Sequence, residues 1–328
     1  MKLKYEPALD GLRATAVLAV IGFHLAKPIV TGGSLGVDVF FVLSGYLITS
    51  ILAGEVEATG RIDYPAFLMR RARRLLPALL ALLAAYWILC PLLWPALMAQ
   101  RAIDVAAAAL YVTNLRQTFW PTSTPLSPTW SLSIEEQFYL LWPWALIVLT
   151  RLRRGHAAIA LATAWAALTA ARIFGAGGLP GPAPYYFTPF HATGLVLGAA
   201  LALHPVTLKV GRFALVALVV LIFFGGTSKS FLFVQPIAEV LSLLVIADPP
   251  RFLAGAAPRF LGKISYGVYL WHTLVFWVAG AMWAPSGLGG IAALFAASIA
   301  AGAASYFAIE RWFLRPSIGR QVAGPARI

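Results

Sequence analysis

The stretch RATAVLAVIGFH places a strong base and an imidazole in an otherwise apolar run. Arg13 and His24 are eleven residues apart. On an α-helix that separation turns through about 1100°, about 20° past three full turns, and rises about 16 Å. The two side chains therefore share one helix face at different depths. Neutral imidazole, with an unperturbed pKa of about 6.5, accepts a proton near neutral pH. A guanidinium fork binds carboxylate or phosphate oxygens. Each residue also has a plainer role, the histidine as a hydrogen bond between helices and the arginine as an anchor at the membrane edge.

Further groups in the chain have types and spacing suited to chemistry. RRARR at 70–74 reads either as an anion site or as an anchor on anionic lipid. Glu135 and Glu136 are adjacent and point about 100° apart on a helix. At most one of them squarely faces a cavity, unless both sit in the aqueous headgroup zone. Tyr266, Tyr269 and His272 recur at i, i+3 and i+6 and are expected to line a cavity wall. Asp10 is expected to cap the first helix, and Asp38, opening the second, has capping and cavity roles open to it. Ser44 lies beside Gly45 without a G-x-S-x-G setting, which favours close helix approach over nucleophilic attack. His156, His191 and His204 fall near expected helix ends and carry no chemical expectation. Cys90 is the single cysteine, so no intrachain disulfide forms, and the five scattered histidines make no metal motif.

The elements that must position these groups follow from composition. Hydrophobic residues make up 60% of the 328, charged residues 11%, and the mean hydropathy is +0.81. Ordinary soluble domains carry about 25% charged residues. Many apolar runs reach the ~20 residues needed to cross a hydrocarbon core of ~30 Å. No alternating barrel-strand pattern is present, so helices must satisfy the backbone. The sequence is expected to fold as an all-α integral membrane protein of about ten transmembrane helices. The expected spans are 14–31, 37–53, 75–95, 131–150, 157–174, 190–204, 212–226, 231–247, 264–283 and 289–308. The stretch 102–116 is too short and polar to cross and is expected as a re-entrant or surface helix on the outer side. The acids and Pro7 before the first apolar run argue for a retained span rather than a cleaved leader. One membrane domain over 1–328, with no appended soluble domain, is the expected organisation.

The net charge of +13 invites a nucleic-acid partner, but its distribution fits membrane orientation instead. With both termini cytoplasmic, 20 of the 25 Lys and Arg fall on the inner side, as the cytoplasmic excess of positive charge requires. Arg13 is then expected at the cytoplasmic lip and His24 near or just beyond the membrane middle. An ionisable group at that depth normally faces the bundle interior or an aqueous cavity.

Several motifs, in order, resemble the membrane acyltransferase 3 family: LDGLRATAVLAVIGFH at 9–24, GVDVFFVLSGYLI at 36–48, FLMRRARRLLPA at 67–78, PTWSLSIEEQFYLLWP at 128–143, LGKISYGVYLWHTLV at 261–275 and SYFAIER at 305–311. The last block departs slightly, continuing WFLRP where Pro usually follows directly. The resemblance implies transfer of an acyl group, often acetyl, from acyl-CoA to a hydroxyl. It implies acetyl-CoA as co-substrate, no metal, and a cell-envelope glycan, lipid-linked sugar or small hydroxylated molecule as acceptor. It implies His24 as base or transient acyl carrier and Glu136 as the carboxylate of the site. Arg13, Arg71 and Arg74 are implied to hold the phosphates of the donor. Asp38, Gln137, Tyr139, Tyr266, Tyr269 and His272 are expected around the cavity. The implied location is the inner (plasma) membrane, in contact with lipid. A transporter or flippase for a lipid-linked glycan, and a membrane scaffold, are the competing classes.

Overall fold

The computed structural model describes residues 5–178, 181, 183–226 and 230–314. Among these the chain is helical and contains no strand. Lys2, Lys4, Lys229, Arg315, Arg320 and Arg327, which enter the charge argument above, lie outside the described residues.

The helices are α1 (Pro7–Leu25), α2 (Gly36–Thr59), α3 (Tyr64–Leu93), α4 (Arg101–Ala109), α5 (Thr113–Phe119), α6 (Thr129–Leu149) and α7 (Arg154–Gly175). They continue as α8 (Ala183–Tyr186), α9 (Thr188–His191), α10 (Thr193–Leu203), α11 (Gly211–Phe224), α12 (Ser230–Ala247), α13 (Ala256–Met282), α14 (Gly287–Ser305) and α15 (Arg311–Phe313). A π-helical turn, Tyr306–Glu310, separates the last two. Five segments are long and apolar enough to cross a membrane: Pro7–Leu25, Gly33–Thr59, Tyr64–Leu93, Arg154–Gly178 and Gly287–Phe313. The chain is accordingly a multi-pass membrane protein. The α6 and α13 helices have the length, at 21 and 27 residues, but carry polar runs that lower their hydropathy. The expected span 190–204 is broken into α9 and the 11-residue α10. At 1.5 Å per residue α10 covers only about 16 Å.

Local chemistry sets the helix limits. Glu6, not Asp10, caps α1 by accepting from the Ala8 N–H at 3.2 Å, and Pro7 fixes the first turn. Asp10 instead accepts from the Tyr5 hydroxyl at 2.5 Å. The α1 helix therefore starts seven residues before the expected span and ends at Leu25. The 102–116 stretch forms α4 and α5, broken at Tyr111, whose φ is +54°. Neither piece can cross a bilayer alone.

Glycines allow a close crossing between α2 and α10. A Cβ on Gly45 would lie 2.0 Å from the Leu195 carbonyl oxygen, and one on Gly198 would lie 2.1 Å from that of Val42. The backbones thus touch, as small residues in membrane helices permit. The α1 and α13 helices run parallel: Asp10 meets Gly262, Arg13 meets Ser265, and His24 meets His272.

Candidate active site

A cavity lies among α1, α2, α3, α6 and α13, with an empty volume of ≈ 770 Å³ that includes the solvent at its open mouth. Helical spacing selects its walls. Arg71 and Arg74, three residues apart, face inward and are half-buried, while Arg70 and Arg73 turn outward and are exposed. Ser131, Glu135 and Tyr139 recur every four residues on α6 and line the opposite wall. Arg13, Ser44, Ser265, Tyr266 and Tyr269 complete the polar lining, and Phe40, Phe41, Leu47 and Leu75 supply apolar surface.

The lining brings three guanidiniums against one carboxylate. Arg13 Nε donates to Ser265 Oγ at 3.4 Å. Arg71 stacks over the Tyr139 ring at 4.2 Å, has a Glu136 oxygen 4.0 Å away, and leaves its Nε without a hydrogen bond. Among the described residues, neither Arg13 nor Arg74 has a carboxylate within ion-pair distance. Glu135 accepts from the Tyr139 hydroxyl at 2.7 Å and from the Ser44 hydroxyl. Tyr266 donates to the Leu75 carbonyl at 2.8 Å and ties α13 to α3 beside the arginines. Under-used guanidinium donors in a walled cavity make an anion site, and the carboxylate with its two hydroxyls provides a proton acceptor nearby.

Of the residues expected to form the site, Arg13, Arg71, Arg74, Tyr139, Tyr266 and Tyr269 line this cavity, and five others do not. Glu135 takes the wall position expected of Glu136, whose Oε1 is buried without a hydrogen bond. The two acids diverge around the helix, and the side facing α2 falls to Glu135. His24 stands at the end of its helix rather than in mid-span. Because α1 begins early, His24 is its penultimate residue and is exposed. Its ring lies 5.3 Å from that of His272, which in turn lies 5.6 Å from Tyr269 on the cavity wall. His272 itself is fully buried, with Nδ1 donating to the Tyr269 carbonyl at 2.5 Å. Among the described residues no carboxylate forms an ion pair with His24, and Glu135 is engaged by Ser44 and Tyr139. Gln137 turns to a separate network, donating to the Tyr111 carbonyl at 3.0 Å and to Asn114 at 2.9 Å. Asp38 faces His191, at 3.1 Å.

That last contact corrects the reading of His191 as inert. His191 is fully buried, and its Nδ1 is 2.6 Å from the Tyr185 carbonyl. A carbonyl only accepts, so Nδ1 carries a proton, and Nε2 faces the Asp38 carboxylate. Beside this pair, Arg172 donates to Thr193 at 3.4 Å, Thr193 donates to Glu239 at 2.5 Å, and Trp165 donates to Glu239 at 2.5 Å. The hydrogen-bonded partners lie between 21 and 74 residues apart in sequence, so no local spacing announces the contacts. Ser131 and Ser265 were equally silent, although their positions on the faces of Glu135 and Tyr269 offered a signal.

Residues 6–310 match the family described as acyltransferase domain, the acyltransferase 3 family. The chain is 35% identical over 311 residues to "Putative peptidoglycan O-acetyltransferase YrhL" of Bacillus subtilis, covering 82% of this chain and 48% of that protein. It is 33% identical over 304 residues to peptidoglycan O-acetyltransferase OatA of Listeria monocytogenes, covering 82% and 49%. The chain thus spans about half the length of the curated relatives it matches. No solved structure matches it. Six ordered motifs, a helical membrane fold and a match over nearly the whole chain agree, and the chain belongs to the acyltransferase 3 family.

Proposed function

We propose that this protein is an O-acetyltransferase that moves an acetyl group from cytosolic acetyl-CoA to a hydroxyl of a cell-envelope glycan. The single observation that carries the reading is the cavity that unites Arg13, Arg71 and Arg74 with Glu135. Guanidinium forks suit the phosphates of CoA, and the names of the relatives point to peptidoglycan as acceptor class.

The N-terminus is cytosolic and the chain crosses the plasma membrane ten times, with α9 and α10 together forming the broken sixth crossing. The parallel course of α1 and α13 supports this, since the first and ninth crossings must run the same way. The exposed Arg70, Arg73, Arg151, Arg153 and Arg154 then lie on the inner side. His24 ends α1 at the outer side, where an acceptor glycan arrives. The thioester reaches it past Tyr269 and His272. The acceptor oxygen attacks the thioester carbonyl, His24 takes the hydroxyl proton, and CoA leaves through sulfur as its thiolate. In the two-step form the imidazole nitrogen takes the acetyl group first and passes it on.

Purified protein in detergent, given radiolabelled acetyl-CoA and peptidoglycan fragments, tests the reading. Wild type is expected to transfer or hydrolyse acetyl. His24→Ala is expected to lose that activity while CoA still raises its Tm. Activity no greater than empty micelles for both proteins, with a lipid-linked glycan crossing liposomes that contain wild type, would instead establish a flippase.

A further inference from the structure

The motif SYFAIER ends in a π-helical turn, a form found most often as a single-turn bulge at functional sites. Its effect here is to carry Glu310 inward. Glu310 is 4% exposed, and one of its oxygens accepts from Ser305 Oγ at 2.8 Å. The carboxylate enters against α13 at Gly267, where a Cβ would lie 2.8 Å from Glu310 Oε1. Gly267 directly follows Ser265 and Tyr266, the first bonded to Arg13 and the second to the α3 backbone at Leu75. The π-turn itself packs against α3, the helix that carries Arg71 and Arg74, while Arg13 reaches α13 two residues before Gly267. Yet Glu310 forms no ion pair with any of these arginines among the described residues and does not line the cavity.

We propose that Glu310 is a resident counter-anion of the arginine cluster, placed behind the cavity to limit how tightly the donor's phosphates are held and so to let spent CoA leave. This rests on the reading that the arginines bind the donor. A carboxylate behind the site lowers the local positive potential without occupying the cavity, and Gly267 provides the space it needs. Glu310 is a positioning and charge-tuning residue and touches no reacting atom.

The test compares wild type, Glu310→Gln and Glu310→Asp for CoA binding and for steady-state acetyl transfer in detergent. Glu310→Gln keeps the size and a hydrogen-bond acceptor for Ser305 but removes the charge. Its CoA affinity is expected to rise about threefold to tenfold, with kcat falling as product release slows. Glu310→Asp, which retains the charge, is expected to bind CoA within about twofold of wild type. If Glu310→Gln does not fold, the double variant Arg74→Gln/Glu310→Gln is expected to be more stable than the single, because both buried charges leave together. Unchanged or weaker CoA binding by Glu310→Gln, or a double variant no more stable than an unfolded single, overturns the proposal. Wild type that binds no CoA would overturn the donor reading itself, so the two failures are distinguishable.

Discussion

Arg74 offers the cleanest test of the donor site, because no carboxylate lies within ion-pair distance of it among the described residues. Replacing it with Gln breaks no side-chain hydrogen bond among the described residues, so the ligand-free variant should lose little stability, at most about 1 kcal/mol. The donor loses a charged contact worth about 1.5–3 kcal/mol. At 1.4 kcal/mol per decade, its affinity falls roughly 10- to 150-fold. The assay is the CoA-induced rise in thermal stability, which follows RT ln(1 + [L]/Kd). At CoA a hundredfold above the wild-type Kd, wild type gains about 2.7 kcal/mol. A variant weakened about fiftyfold gains only about 0.6 kcal/mol at the same concentration. Arg74→Lys keeps charge without the fork and should fall between them. A Gln variant stabilised by CoA as fully as wild type would refute the assignment of the phosphates to this cavity.

Other predictions follow from the same geometry. Glu135→Gln, which weakens the carboxylate holding Ser44 and Tyr139 on the cavity wall, should reduce kcat by roughly tenfold or more, whereas Glu136→Gln, outside the wall, should reduce it less than about tenfold; the opposite ranking in an acetyl-transfer assay would reverse the choice of carboxylate. His191→Ala should cost about 3–5 kcal/mol by leaving Asp38 buried without its partner, and Asp38→Asn in the same protein should recover part of the lost Tm. Gly198→Ala puts a Cβ 2.1 Å from the Val42 carbonyl oxygen and should lower Tm through overpacking that costs about 1–3 kcal/mol.

The sequence revealed the membrane class because helix length and hydropathy are local properties. Spacing alone left RRARR as site or anchor; the resemblance to the family motif singled out Arg71 and Arg74, whose three-residue step puts them on one face. The sequence put His24 in mid-span because the expected span ran 14–31, whereas Glu6 with Pro7 starts α1 earlier and the helix ends at Leu25. It chose Glu136 over Glu135 because adjacent residues diverge on a helix, and only the position of α2 decides which one meets Ser44. The Asp38–His191 pair was illegible, as its partners are 153 residues apart and meet only when α2 packs beside α9 and α10.

The central claim is that donor phosphates sit on the inner arginines while the thioester points toward His24. A structure of the protein with bound acetyl-CoA measures this directly. The account predicts phosphate density against Arg13, Arg71 and Arg74, with the acyl end beside Tyr269 and His272. Phosphates seated on the exposed Arg151–Arg154 run, with the cavity closed to the ligand, would contradict it.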